Sequence, residues 1–186
     1  ETDGDWAFAL TSDDDLVGIR TQDRDDPVLE IAVLAAVSNY QAKIMALQPT
    51  SASQSSTILD ADAGRALDGK PELTQWGDQS CTHTHDSYSD PRPWWKVLMG
   101  PTKVEFVRIT ARSDCCQDRL NGIQLYLTRA DAQDWTAGRL CADTASAPWA
   151  PGETRDIECS GIGETLWIVQ PTGNGYDNVL TLCEVA

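Results

Sequence analysis

The chain has 186 residues, enough for one ordinary domain or a domain with an appendage. An apolar share of 41% and seven tryptophans exclude wholesale disorder, and a formal net charge of −15 disfavours phosphate backbones and anionic lipid surfaces as partners. The longest uncharged apolar run, residues 31–37, is too short to cross a bilayer, so neither nucleic-acid binding nor membrane insertion is expected.

Charge is spread unevenly. Residues 1–30 carry ten acids against Arg20 and Arg24, a net of −8, whereas the other 156 residues carry nineteen acids against twelve bases, a net of −7. Such a shift points to an appended segment. The predicted organisation is an N-terminal extension over residues 1–45, a candidate fragment of a neighbouring module, followed by a domain over residues 46–186. No basic leader followed by an apolar stretch occurs, so no signal peptide is expected within these residues.

In the extension, Asp13-Asp14-Asp15 reads as a solvated loop, and residues 16–21 and 29–37 read as two strands joined by a turn over residues 23–27. The Ala and Leu content of residues 28–37 also suits a short helix. Further along, residues 103–110, 122–127, 166–169 and 179–182 are strand-like. Ile123, Leu125 and Leu127 alternate with Gln124, Tyr126 and Thr128. Gly and Pro punctuate the gaps, as in Pro171-Thr172-Gly173-Asn174-Gly175. The expected fold class is all-β: an antiparallel β-sandwich of short strands and long loops.

The six cysteines are Cys81, Cys115, Cys116, Cys141, Cys159 and Cys183, an even number suited to an oxidising compartment and three disulfides. Six cysteines allow fifteen pairings, so number alone selects none. Cys115-Cys116 could close a ring on itself, or face opposite sides of a strand and pair elsewhere. The chain lacks paired Cys-x-x-Cys motifs and has two histidines, which disfavours zinc and other transition metals.

The stretch richest in chemistry runs from Ser80-Cys81-Thr82-His83-Thr84 through Pro93-Trp94-Trp95-Lys96-Val97 to Arg112-Ser113-Asp114-Cys115-Cys116-Gln117-Asp118-Arg119-Leu120. Asp114 between Arg112 and Arg119 can hold both guanidinium forks. Two fixed arginines with a histidine make a donor-rich patch. A disulfide ring beside them would add an apolar plate, which together suit the hydroxyl edges and C–H faces of a sugar. A surface ion pair and a solvated Arg119 would account for the same residues without a ligand.

At these positions the chain resembles the F-type lectins, the fucose-binding fucolectin family. His83, then Arg112, Asp114, Cys115-Cys116 and Arg119 match the family's histidine, Arg-x-Asp, Cys-Cys and second arginine. Ser53-Gln54-Ser55-Ser56-Thr57 resembles its opening strand, and Ala66-Leu67-Asp68-Gly69-Lys70 its Ala-Val-Asp-Gly-Asn block. Leu180-Thr181-Leu182-Cys183-Glu184-Val185 resembles its closing strand. The resemblance covers about residues 46–186 and implies a jelly-roll β-sandwich of the discoidin or galactose-binding-domain type.

The resemblance implies a calcium-stabilised lectin for terminal L-fucose on glycans, without catalysis. His83, Arg112 and Arg119 would contact the sugar, Asp114 would orient the arginines, and the Cys115–Cys116 ring would pack on its C–H edge. Trp76, with Ile58 or Leu59, would line the pocket for the sugar methyl, whose burial is worth on the order of 1 kcal/mol; Trp76 also suits a core position. Structural calcium would be held by main-chain oxygens of Arg65, Lys70 and Cys183 with Asp68, Ser80 and Glu184, an oxygen-rich set for a hard cation. The implied disulfides are Cys81–Cys183, Cys115–Cys116 and Cys141–Cys159, the first worth about 4 kcal/mol by loop entropy.

There are departures from the family pattern. Leu98 stands where relatives carry Asp, and 28 residues separate His83 from Arg112, so His85 is a rival histidine. The extra length falls in residues 85–92, a rim loop whose Asp86, Tyr88 and Asp90 could contact a second sugar. A glycosidase needs two opposed carboxylates, and Asp114 is already committed to arginine, so no enzyme is expected. The alternatives are a non-catalytic glycan-binding module of a larger enzyme, toxin or adhesion protein with altered sugar preference, or a sandwich without sugar binding. The expected setting is extracellular, the partners fucosylated glycans, with oligomers or tandem domains supplying avidity.

Overall fold

The computed structural model describes residues 6–10, 16–20, 51–86, 89–144, 148–171 and 178–186. The chain divides into two compact units, Glu1–Gln48 and Pro49–Ala186. In the first, β1 (Trp6–Leu10) pairs antiparallel with β2 (Leu16–Arg20). A strand is therefore present where the sequence predicts one at residues 16–20, but its partner lies upstream. Asp13-Asp14-Asp15, the turn over residues 23–27 and the run 29–37 lie outside the described residues.

The second unit is an antiparallel β-sandwich. Its strands are β3 (Ser51–Gln54), β4 (Trp94–Thr110), β5 (Gln124–Thr128), β6 (Arg139–Asp143), β7 (Thr154–Val169) and β8 (Glu184–Val185). They pair in the order β3-β4-β7-β5-β6, with β8 also against β4. The long strands β4 and β7 serve both halves of the sheet. Trp94–Leu98 pairs with Thr165–Val169 beside β3 and β5, whereas Phe106–Thr110 pairs with Thr154–Glu158 beside β8.

Two register shifts separate these halves, at Leu98/Thr102 and Val104/Phe106. The first has a sequence cause: Gly100 adopts φ 71° and Pro101 has no N–H to give the ladder. Each shift moves the inward-facing set by one residue. Trp95 and Val97 point inward, then Val104, then Val107 and Ile109. This broken alternation hides much of β4 and β7 from a search for period two.

The main core gathers Trp95, Ile109, Leu120, Ile123, Leu125, Ile168, Leu180 and Leu182. On the other face of the same strands, Trp167 and Val169 pack under Trp135, Trp94 and Tyr126. Lys96 Nζ lies 4.3 Å from the Trp167 ring centroid. Both faces of the C-terminal half of β7 are therefore buried.

Residues 179–182, expected as a strand, run beside Thr82–Thr84 without forming a regular ladder. Thr82 and Thr84 N–H donate to the carbonyls of Leu182 and Leu180, at 2.8 and 3.2 Å. The return bonds, from Leu182 and Leu180 N–H, go to the threonine hydroxyls at 3.0 and 2.9 Å. Side chains thus take the acceptor role that the backbone would fill in a sheet. Leu98 lies inside β4, paired with Ser51 and Thr165, and not in a loop.

Candidate carbohydrate-binding site

Three disulfides, Cys81–Cys183, Cys115–Cys116 and Cys141–Cys159, hold the sandwich, as the resemblance implies. The first ties the start of the His83 segment to the last strand. Ser80, Cys81, Thr82, His83 and Thr84 are all buried. His83 N–H donates to the Ala61 carbonyl at 3.0 Å, and its own carbonyl accepts from Ile58 N–H at 3.2 Å. Gln54 Nε2 bridges the carbonyls of Ala61 and His83, at 3.0 and 3.3 Å. This framing leaves the imidazole little freedom.

The His83 ring is 2.7 Å from the Thr84 carbonyl at Nδ1 and 3.0 Å from Arg119 Nη1 at Nε2. A carbonyl only accepts and a guanidinium only donates. Nδ1 therefore carries the proton and Nε2 accepts from Arg119, the neutral tautomer. His85 is held elsewhere, its N–H donating to Ser56 Oγ at 2.8 Å. It is thus His83 that the fold brings against Arg119.

Trp76 stands edge-on to His83, ring centroids 5.3 Å apart, and the Arg112 guanidinium lies 5.0 Å from the Trp76 ring centroid. Arg112 donates to both Asp114 oxygens, Nε at 2.6 Å and Nη2 at 2.8 Å. Asp114 also accepts Trp76 N–H at 3.3 Å. The Arg112 hydrogen bond is the main cause that holds the Asp114 carboxyl down at about 2. The sequence places Asp114 between two guanidiniums; in the fold it holds Arg112, and Arg119 reaches His83 instead.

In the sequence the Cys115–Cys116 ring falls between these two arginines. Cys116 adopts φ 63° and caps the 3₁₀ turn Gln117–Leu120, where Arg119 N–H donates to the Cys116 carbonyl at 3.2 Å. Leu120, buried in the core, anchors the far end of the turn. Gln170, just past β7 and also buried, donates through Nε2 to the carbonyls of Arg119 and Asn121 at 3.0 and 2.8 Å. Sequence reading missed Gln170. Its 51-residue separation from Arg119 leaves no local signal, and a lone glutamine after a strand carries no motif.

On the rim, Asp90 does not face outward for a second sugar. It is buried and accepts from the hydroxyls of Ser55 and Ser56, so it braces the loop. Tyr88 lies outside the described residues. Ile58 is half-buried, while Leu59 is 73% exposed at φ 51°.

A second cluster lies close by in sequence. Lys70 N–H donates to Asp68 Oδ1 at 3.0 Å and to Glu184 Oε2 at 2.9 Å, and Ser80 Oγ donates to Asp68 Oδ2. Two carboxylates therefore converge on one amide. Glu184 is 6% exposed, and burial first, then the nearby Asp68 charge, pushes its carboxyl up. Among the described residues no three His, Cys, Asp or Glu side chains converge on a metal position. What does meet there is two carboxylates and a hydroxyl, those of Asp68, Glu184 and Ser80. Their negative charge and oxygen chemistry fit a hard divalent cation.

Comparison with known proteins matches residues 65–165 to the NedA-like, galactose-binding domain family. Fucolectin-1 of Anguilla japonica is 31% identical over 150 residues, 79% of this chain and 78% of that protein. The chain belongs to the F-type lectin (fucolectin) family. Among solved structures, an F-lectin from the serum of striped bass, Morone saxatilis, is similar at TM-score 0.65 and 30% identity, covering 75% of this chain. The F-type lectin chain described here spans 46% of that protein's length. A Streptococcus pneumoniae fucose binding module shares the fold at TM-score 0.56 and 22% identity, over 75% of this chain and 93% of its own. As a member of this family, the lectin domain is a carbohydrate-binding module and not an enzyme.

Proposed function

We propose that this domain binds terminal L-fucose on extracellular glycans, using His83, Arg112 and Arg119 as polar contacts, Asp114 to orient Arg112, and Trp76 with the Cys115–Cys116 ring as apolar walls. The observation that carries the reading is the convergence of His83 Nε2 with Arg119 Nη1 at 3.0 Å, beside a tryptophan that also meets Arg112. Segments far apart in sequence bring their donors to one place, which surface ion pairing alone does not require. A guanidinium carries five N–H donors, a set suited to ring and hydroxyl oxygens, and the half-buried Trp76 offers a face for a methyl or C–H edge. The names of the eel and striped bass relatives and of the bacterial fucose binding module support the choice of sugar.

Structural calcium belongs to the same proposal. Asp68, Glu184 and Ser80, with the carbonyls of Arg65, Lys70 and Cys183, would hold it. The ion would supply positive charge between two crowded carboxylates and tie the segment Asp68–Ser80, which carries Trp76, to β8. Several weak sites, in oligomers or tandem domains, would add by avidity.

Calorimetric titration of L-fucose into calcium-loaded protein tests the function, with D-galactose and D-glucose as comparisons. Saturable, fucose-preferring heat at one site per domain is expected. No heat with any of the three sugars would overturn the assignment.

A further inference from the structure

Negative charge is concentrated in the segments that build the site. Residues 56–62, 74–79, 83–92 and 112–119 contain seven acids against Arg92, Arg112 and Arg119, a net of −4 with both histidines neutral. These 31 residues, a sixth of the chain, thus carry about a quarter of its net charge of −15. The three arginines do not offset the seven acids, and Arg112 is itself neutralised by a bidentate bond to Asp114.

The acids are placed by the same bonds that shape the site. Asp60 lies between Ile58, whose N–H meets the His83 carbonyl, and Ala61, whose carbonyl takes the His83 N–H. Asp78 closes the 3₁₀ turn Trp76–Asp78, its carboxylate accepting Gln75 N–H at 3.0 Å. Asp86 follows His85, and Asp118 precedes Arg119. All four are exposed, and each lies within three residues along the chain of Trp76, His83, Arg119 or Ala61, whose carbonyl holds His83. A neutral monosaccharide does not sense such a field. An anionic group one sugar away does, over the Debye length of about 30 Å at 0.01 M ionic strength.

We propose that this acidic rim makes the site selective for neutral fucosylated glycans and hostile to those carrying a carboxylate or sulfate on the sugar beside the fucose. The inference rests on the fucose reading above and adds the class of glycan that the site rejects. Rejection of this kind is specificity by repulsion, with no contact to the discriminated group required.

The test is calorimetric titration of calcium-loaded protein with four ligands: L-fucose, a neutral fucosylated N-acetyllactosamine, its sialylated form and its sulfated form. Each is measured at 0.01 M and at 1 M ionic strength. The sialylated and sulfated forms are expected to bind about ten-fold more weakly than the neutral parent at low salt. That gap should close to within about two-fold at 1 M, where the Debye length is about 3 Å. A gap that persists unchanged at 1 M salt marks a steric clash and overturns the electrostatic reading, as do equal affinities at low salt. A carboxylate penalty without a sulfate penalty, or the reverse, also overturns it.

The double variant D60N/D78N keeps the shape of the rim, because Asn tolerates the φ of 58° at position 60 and its amide oxygen can accept Gln75 N–H at position 78. It should leave L-fucose affinity within about two-fold and recover about three-fold of the lost affinity for the anionic ligands. An unchanged gap in this variant counts against the rim. Absence of L-fucose binding overturns both readings, whereas L-fucose binding without discrimination overturns the rim alone.

Discussion

Two places in the domain carry nearly the same local chemistry. At one, Arg112 holds Asp114 two residues on, and its guanidinium lies 5.0 Å from the Trp76 ring centroid. At the other, Arg155 holds Glu153 two residues back, with Nη2 at 2.8 Å from Oε1, and lies 4.2 Å from the Trp149 ring centroid. The surroundings differ. Trp149 is 4% exposed, and Arg155 Nη2 also reaches the Pro148 carbonyl at 3.0 Å, so that trio staples its own loop. Trp76 is half-buried and meets His83, which in turn meets Arg119. An arginine, an acid and a tryptophan make a brace. They make a binding site only where a second set of donors arrives from another part of the chain.

The largest expected effect separates the two arginines. Arg112→Ala should cost about 100-fold in L-fucose affinity, equivalent to about 3 kcal/mol, because it removes charge-assisted donors and frees Asp114. Arg155→Ala should leave affinity within about two-fold and instead lower Tm, through loss of about 1 kcal/mol of cation–π and ion-pair packing. Calorimetry and thermal melts on both variants check this, and equal losses of affinity would break the contrast.

Calcium removal comes next. A chelator should lower Tm by the binding term, about 2.7 kcal/mol where calcium was at a hundred-fold excess over Kd. It should also weaken fucose binding, since the segment with Trp76 runs from Asp68 to Ser80 and Ser113 hydrogen-bonds to Thr74 within it. Restoration by calcium and not by equal ionic strength of sodium is the expected outcome.

Gln170→Leu should follow in size. It strips two carbonyls of their donor in a buried setting, at a cost of about 1–3 kcal/mol, and loosens the Arg119 turn. Fucose affinity should fall about ten-fold while Arg112–Asp114 pairing persists. The smallest effect is with pH. The Asp114 carboxyl is held at about 2, against an ordinary 3.8, so the stability that it contributes is present above 3.8 and is lost as pH falls through 2. Asp114→Asn should remove that step from an acid titration of Trp fluorescence.

The site motif was legible because its chemistry is written locally. Arg112, Asp114, Cys115-Cys116 and Arg119 fall within eight residues, and His83 follows a cysteine that ties it to the closing strand. The pair Asp68 and Glu184 was legible only through resemblance, as 116 positions separate them. The long central strands were less legible. The N-terminal half of β7 and the stretch of β4 before residue 103 escaped because register shifts break their alternation. Residues 179–182 look like a strand and fail to be one, since threonine hydroxyls take half of their bonds.

By itself the sequence determined the class of fold, through short apolar alternations punctuated by Gly and Pro, and the chemistry of the patch, through residue types that offer donors and apolar edges. Tertiary structure decided the rest. It set His83 and not His85 against Arg119, turned Asp90 inward to brace the rim, and recruited Gln170 to hold the Arg119 turn. The physical reason is the short range of hydrogen bonds and ion pairs. Residue types can be read in one dimension, but which donor lies 3 Å from which acceptor depends on how the strands stack and where their bulges fall.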